Sequence, residues 1–397
     1  MWLFRSGLFL LAYAGINIYT GVRIFTLVKY FFPSFRAFVF WPLFILFCYS
    51  FVFVMLLRFS WLRPFRQTIM NSLPVLFYLF STLLVLDAAR FVLQRLGRIP
   101  YAPVYSAAVT GIAIILALLV MVYGVFHARN IYTTQYTVTL NKSEGGLPPL
   151  RIVLVSDTHI GTAVGQKWIA NVVDAINKAN PDMICIAGDI FDNDIGAVRN
   201  LEGIAEELRR LNAPMGVYAC PGNHDVDRLS LRGEGGTDRI RDFLKTANIG
   251  FLQDEVVVVA NPPGTEGNQL ANNIHLIGRK DARPIGIRGE RKTAVELADG
   301  LDRNKPLIFL DHQPVDFPAE EEAGADLILS GHTHKGQFFP GNVFTRQIFK
   351  NAGAVHYGHW KGRSAQGVVS SGAGVWGPPI RVATRSEIAV IDITFGE

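Results

Sequence analysis

Acidic side chains are almost missing from the first third of this 397-residue chain, where Asp87 is the only one between Met1 and His127. Charged residues make up 18% of the whole and hydrophobic residues 50%, which is too little charge for an ordinary soluble protein of this size. The shortage implies a membrane before any motif is read. Cysteine is scarce as well. Cys48, Cys185 and Cys220 show no paired spacing, which argues against a disulfide framework or a zinc ribbon and leaves three free thiols. A basic stripe and a nucleic-acid-reading motif are both lacking, so the net charge of +5 does not indicate a nucleic acid partner. Much of the positive excess sits in short segments between apolar runs, where Lys and Arg meet anionic head groups. Gly233-Glu-Gly-Gly-Thr237 lacks both the preceding strand and the Gly-Lys-Ser/Thr ending of a phosphate loop, and is expected to be a flexible loop near the mouth of a site.

What is present in residues 1–130 is apolar length. A membrane span needs about 20 mostly apolar residues, and four stretches qualify, at about 3–28, 37–57, 69–91 and 104–126. Linkers such as Arg58-Phe-Ser-Trp-Leu-Arg-Pro and Arg95-Leu-Gly-Arg-Ile-Pro separate them, and their Trp and Tyr neighbours suit the head-group interface. The first run carries one basic residue ahead of it, Arg5, and no clear cleavage site, so a retained helix is expected rather than a removed leader. An all-α bundle of about four helices follows, in a multi-pass protein of the cell membrane. Asp87 with Arg90 three residues later predicts a local ion pair. Lys and Arg distribute evenly over the two sides, so the positive-inside rule gives no orientation. Free cysteines would suit a cytoplasmic placement of the residues that follow the bundle.

Residues 131–150 read as a connector: a Thr-rich alternating run, then Gly and Pro residues that end regular structure. From 151 to 397 the rhythm becomes strand, loop and helix. Strands are expected at Arg151–Ser156, Met183–Ala187, Gly216–Cys220, His275–Gly278, Leu307–Leu310 and Leu327–Leu329, with amphipathic helices around Trp168–Ala179 and Leu201–Leu211. This is α/β alternation with buried strands. Five of these strands stop at oxygen or imidazole ligands: Asp157-Thr-His159, Gly188-Asp189, Gly222-Asn223-His224-Asp225, Asp311-His312 and Gly331-His332-Thr-His334. Strand carboxyl ends in α/β sheets are where ligands bind. One such fragment alone is ordinarily a satisfied polar residue; five in succession point to a metal centre. The number of imidazoles exceeds the needs of one ion, and the carboxylates supply a bridge between two.

This ordered set, with Asp192 after Gly188-Asp189, resembles that of the calcineurin-like metallophosphoesterases. The resemblance implies a four-layer αββα sandwich holding two divalent ions. Asp157, His159 and His334 would hold one ion and Asn223, His312 and His332 the other, with Asp189 as the bridge. His224 would protonate or hydrogen-bond the phosphoryl or leaving oxygen, oriented by Asp225. Mixed Asp, Asn and His ligands fit manganese, iron or zinc better than calcium.

The segments Ser330–Gln337, Val368–Gly374, Pro379–Arg381 and Ser386–Ile388 are similar to a subgroup of mostly bacterial, membrane-associated phosphoesterases. For this subgroup the expected chemistry is hydrolysis of a phosphodiester or pyrophosphate bond, as in UDP-2,3-diacylglucosamine, with membrane lipids and a phosphorylated small molecule or lipid as partners. A phosphomonoesterase or protein phosphatase is the alternative, and a non-catalytic membrane sensor a third. Lys335 stands where many relatives have Gly; a narrowed pocket, a phosphate contact and a solvated lysine are all open. Phe338, Phe339, Val343 and Phe344 form an apolar loop that would touch acyl chains or simply pack in the core or over a sheet edge, and His359 lies in a basic, aromatic segment suited to phosphate or uridine.

Overall fold

A computed structural model of the chain describes residues 2–56, 69–142, 148–193, 195–225, 237–260, 273–282 and 290–396. The linker 58–64, part of the Gly-Pro segment 143–147 and the glycine-rich loop up to 236 lie outside the described residues. The chain divides into two units, Met1–Phe126 with Gly377–Pro379, and His127–Trp376 with Ile380–Glu397.

The first unit is helical: α1 (Trp2–Phe31), α2 (Ala37–Leu56), α3 (Ser72–Arg95) and α4 (Pro103–Ala128). Among the described residues three helices, Leu10–Phe31, Ser72–Arg95 and Pro103–Ala128, are long and apolar enough to cross a membrane. Ala37–Val52 is a shorter apolar helix, so three of the four expected spans reach that length among the described residues. Asp87 does more than pair locally. It takes Arg90 Nε at 3.1 Å, Arg23 Nε at 2.9 Å and the Tyr19 hydroxyl at 2.5 Å, and Arg23 also donates to Ser106 Oγ at 2.6 Å. One carboxylate therefore ties α1 to α3, and Arg23 extends the tie to α4. Removing one partner of a buried ion pair leaves the other charges unmatched. Asp87→Ala is expected to cost about 3 kcal/mol and to lower the thermal midpoint of the detergent-solubilised chain. Asp87→Asn, which keeps an oxygen for Tyr19, should lose less. An unchanged midpoint in Asp87→Ala would remove the network from the account.

The second unit builds two six-stranded sheets. Its strands are β1 (Ile131–Leu140), β2 (Leu150–Val155), β3 (Met183–Ala187), β4 (Val217–Cys220), β5 (Gly250–Phe251), β6 (Glu255–Val259), β7 (Ile274–Gly278), β8 (Leu307–Leu310), β9 (Leu327–Ser330), β10 (Gly358–Lys361), β11 (Gln366–Val369) and β12 (Ser386–Phe395). The first sheet runs β1-β12-β2-β3-β4-β5 and the second β10-β11-β9-β8-β7-β6. The period-two alternation of buried strands assigns each side chain to a layer. Ile152, Leu154, Met183 and Cys185 meet Ile308, Leu310, Leu327 and Leu329 between the sheets. Val153, Val155, Ile184 and Ile186 face the other way, onto α5 (Gln166–Lys178), α6 (Leu201–Arg209) and α7 (Asp238–Thr246). Leu307, Phe309 and Ile328 face α8 (Ala294–Ala298) and α9 (Phe317–Glu322). Helix, sheet, sheet and helix thus form four layers.

The supposed connector 131–150 needs correction. Its first part is β1, a ten-residue strand paired in parallel with β12 from Ile131↔Ser386 to Leu140↔Phe395. The β-branched alternation Thr-Thr-Gln-Tyr-Thr-Val-Thr fits a half-exposed edge strand, but its partner lies near the far end of the chain and leaves no local trace.

Candidate metal centre

Parallel pairing of β2 with β3, β3 with β4, and β8 with β9 aligns their carboxyl ends on one rim. The chain leaves that rim abruptly. Asp157, His159, Asp189, His332 and His334 all take positive φ, between 46° and 72°, a left-handed conformation that costs an L-residue roughly 1–2 kcal/mol. Strain of this kind persists only where the surroundings enforce it, and it collects at functional sites. Gly188, at φ 70°, shows the crowding: a Cβ there would come within 2.7 Å of both Gly222 N and His312 Nδ1.

Three groups of ligating side chains form at the rim: two triads that match the expected ligand sets, and a third, His159 with Asp192 and His224, that shares His159 with the first triad. Asp157, His159 and His334 offer ligand atoms all within 4.8 Å of one another, and so do Asp189, His312 and His332. In the first, His159 Nε2 lies 3.0 Å from His334 Nε2, and His334 Nε2 lies 3.4 Å from Asp157 Oδ1. In the second, His312 Nε2 is 3.2 Å from each of Asp189 Oδ2, His332 Nδ1 and Asn223 Oδ1. Donors bound to one ion at about 2.1 Å stand about 3.0–3.4 Å apart along the edges of an octahedron or tetrahedron, so the spacing fits a divalent cation in each triad. Asp189 joins them. Its Oδ2 faces His312 at 3.2 Å and His159 at 3.6 Å, while its Oδ1 accepts from His224 N at 2.7 Å.

Charge states favour the same reading. Burial pushes the His159 imidazole down to about 4, and burial with His159 and Arg381 nearby holds His334 well below its ordinary value, so both present lone pairs. Burial lifts the Asp157 carboxyl to about 6. Burial opposes the charge on Asp189 and His312, but each holds the other ionised, with Asp189 well below and His312 well above its ordinary value. A cation entering must displace the protons of Asp157 and His312. Metal affinity should therefore rise with pH, most steeply below about 6, where Asp157 as well as His312 carries a proton that the cation must displace. Titration calorimetry with Mn²⁺ or Zn²⁺ between pH 5.5 and 8 measures this; a flat profile would contradict it.

His224 stands beside the first triad, its ring 4.9 Å from His159. Asp225 does not orient it, contrary to expectation. Its carboxylate accepts from Phe191 N at 2.9 Å and Gly222 N at 2.8 Å, bracing two motif loops from within, and burial raises it to about 7. The orienting groups are Asn193 and Asp192. Asn193 Nδ2 donates to Asp192 Oδ1 at 3.1 Å and also meets His224 Nδ1. The Asp192 carboxylate oxygen accepts, which sets the amide nitrogen toward Asp192 and His224. Where His224 Nδ1 accepts from that amide, the imidazole carries its proton on Nε2; Asp192 Oδ1 also lies 3.8 Å from Nδ1. Sequence reasoning missed Asn193, for which the motif gives no signal.

Arg381 was read only as part of the tail, yet it is fully buried and donates to the carbonyls of Ser371, Gly372, Gly374 and His334, holding the last ligand against the turn behind Asp157. Lys335 stands at φ 52°, a conformation glycine adopts without penalty, with its ammonium 3.8 Å from the Tyr357 ring centroid. Phe338 is half-buried and Phe339 exposed. His359 is engaged elsewhere on its sheet, bonding Gln366 Oε1 at 2.8 Å and facing Tyr136.

Residues 150–336 match the calcineurin-like phosphoesterase family. The transmembrane protein with metallophosphoesterase domain of Danio rerio is 29% identical over 71% of this chain and 62% of its own length. An uncharacterized metallophosphoesterase of Bacillus subtilis is 30% identical over 66% of this chain and 85% of its own. One from Campylobacter jejuni is 26% identical over 99% of both. The chain spans about three fifths of the length of the first curated relatives it matches, 62% and 59%. With the ligand motifs gathered on one rim and these relatives alongside, the chain belongs to the calcineurin-like metallophosphoesterase family.

Proposed function

We propose that this is a membrane-anchored, dinuclear phosphoesterase that cleaves a phosphodiester or pyrophosphate bond in a lipid or nucleotide-linked lipid, with UDP-2,3-diacylglucosamine as one example of the class. The observation that carries the dinuclear part is the single oxygen, Asp189 Oδ2, facing an imidazole of each triad. Two bound divalent cations would supply an activated water and polarise the phosphoryl oxygens. Manganese, iron and zinc suit the mixed donor set.

The chain's own residues do the rest. Asp189 Oδ1 pins the backbone of His224 at 2.7 Å, which fixes the imidazole relative to both triads. Asn193, held by Asp192, keeps the His224 proton on Nε2, the nitrogen free to hand it to the departing oxygen. Burial of His159, Asp157 and His312 excludes water from behind the ligands.

The lipid part is supported by the three apolar helices, which confine the active site to the neighbourhood of a bilayer. Hydrolysis of bis-p-nitrophenyl phosphate is expected to exceed that of p-nitrophenyl phosphate; the reverse order would favour a phosphomonoesterase. The three cysteines are buried free thiols, which supports a cytoplasmic catalytic unit. A reporter fused at Glu397 should be active on the cytoplasmic side, and activity only on the far side would reverse that placement.

A further inference from the structure

Just past the last ligand the chain enters α10 (Gly341–Asn351), Gly-Asn-Val-Phe-Thr-Arg-Gln-Ile-Phe-Lys-Asn. The larger helices of the catalytic unit, such as α5 and α6, bury an apolar stripe; α10 buries no residue. Three of its apolar side chains face outward, beside the exposed Gln347 and Asn351, while Phe349 turns inward. Val343 is 54%, Phe344 62% and Ile348 63% exposed, and Phe339 in the preceding turn is 47% exposed. Among the described residues elsewhere in this unit, the exposed large apolar residues are Val295 and Val315, the pair Val256 and Val258 on β6, and Trp376. A contiguous patch of this kind marks an interaction surface.

The helix contains no acidic residue, and Arg346 and Lys350 are exposed along with the apolar side chains. An outward apolar face flanked by basic residues is the signature of a helix lying in a bilayer interface, apolar side in the acyl boundary and cations at anionic head groups. A membrane is at hand, because the same chain carries three helices long and apolar enough to cross one. We propose that α10 is an interfacial helix whose Val343, Phe344 and Ile348 insert into the head-group region of an anionic bilayer.

The attachment of α10 makes this consequential. Gly336 and Gly341 lie back to back, and a Cβ on either would strike the backbone of the other segment. Phe349 on the inner side has its ring 6.4 Å from that of His332. Insertion of α10 would therefore hold the metal centre at head-group level, whichever phosphoester is cleaved there.

Nitroxide labels test this in the full chain, because the three native cysteines are buried. Val343→Cys, Ile348→Cys and the control Val295→Cys would be labelled and reconstituted into vesicles of phosphatidylethanolamine and phosphatidylglycerol. Labels at 343 and 348 should be reached by oxygen in preference to a water-soluble nickel chelate, and the label at 295 by the chelate. Retained bis-p-nitrophenyl phosphate hydrolysis shows that each variant is folded. Chelate access at all three positions would overturn the proposal. So would spin–spin broadening at 343 and 348, lost on dilution with unlabelled chain and without oxygen preference, which would assign the face to a second copy. Membrane depth at α10 in a chain that hydrolyses no phosphodiester would sustain the insertion while refuting the proposed function.

Discussion

His224→Ala is expected to slow phosphodiester turnover by about 10²- to 10⁴-fold, the usual worth of a positioned proton donor, while metal content stays at the wild-type level. The split follows from geometry. His224 belongs to neither triad that Asp189 joins, though it groups with His159 and Asp192, and its backbone N–H donates to the bridging carboxylate at 2.7 Å, a bond the alanine retains. Kinetics with elemental analysis of the same preparation would show it; near-normal turnover with full metal occupancy would remove His224 from its role. Asn193→Asp sharpens the test. It replaces the amide that donates to Nδ1 with an acceptor, shifting the favoured proton to Nδ1, so turnover should fall with metal content unchanged.

Asp189→Asn should be at least as damaging and for a different reason: metal and activity should be lost together. The two carboxylate oxygens have incompatible neighbours for an amide. Oδ2 faces His312 and His159, where a cation needs an anion, and Oδ1 accepts from His224 N. The amide nitrogen would confront either the cations or a backbone donor, and Asp189→Ala abandons both contacts. Removing a group that only supports a ligand already costs 10- to 100-fold in metal affinity, so loss of the bridge should exceed that. Full metal content in purified Asp189→Asn would break the link between this carboxylate and the centre.

The difference between these two variants also shows which parts of the site a sequence can display. Strands buried on both faces are continuous apolar runs, so the points where Ile-Val-Leu-Val and Leu-Ile-Leu stop are visible, and the ligands stand there. What adjacency cannot display is direction. Asp225 follows His224 directly, yet its side chain turns to the backbone of Phe191 and Gly222, while Asn193, 31 positions away, meets the imidazole. Direction within a turn is set by left-handed residues and close-packed glycines that no periodicity records. The same holds for β1, whose Thr-rich alternation was plain but whose partner β12 is some 255 residues distant. In the membrane unit, Arg90 could be paired with Asp87 by helical spacing, whereas Arg23 and Tyr19 reach it from another helix.

Metal stoichiometry with activity tests the central claim most directly. The full chain, stripped by chelation and titrated with Mn²⁺ or Zn²⁺, should gain bis-p-nitrophenyl phosphate hydrolysis until two equivalents are bound per chain, and Asp189→Ala should gain none. Full activity in stripped protein with no bound metal, or saturation at one equivalent with Asp189→Ala unimpaired, would contradict a dinuclear centre bridged by Asp189.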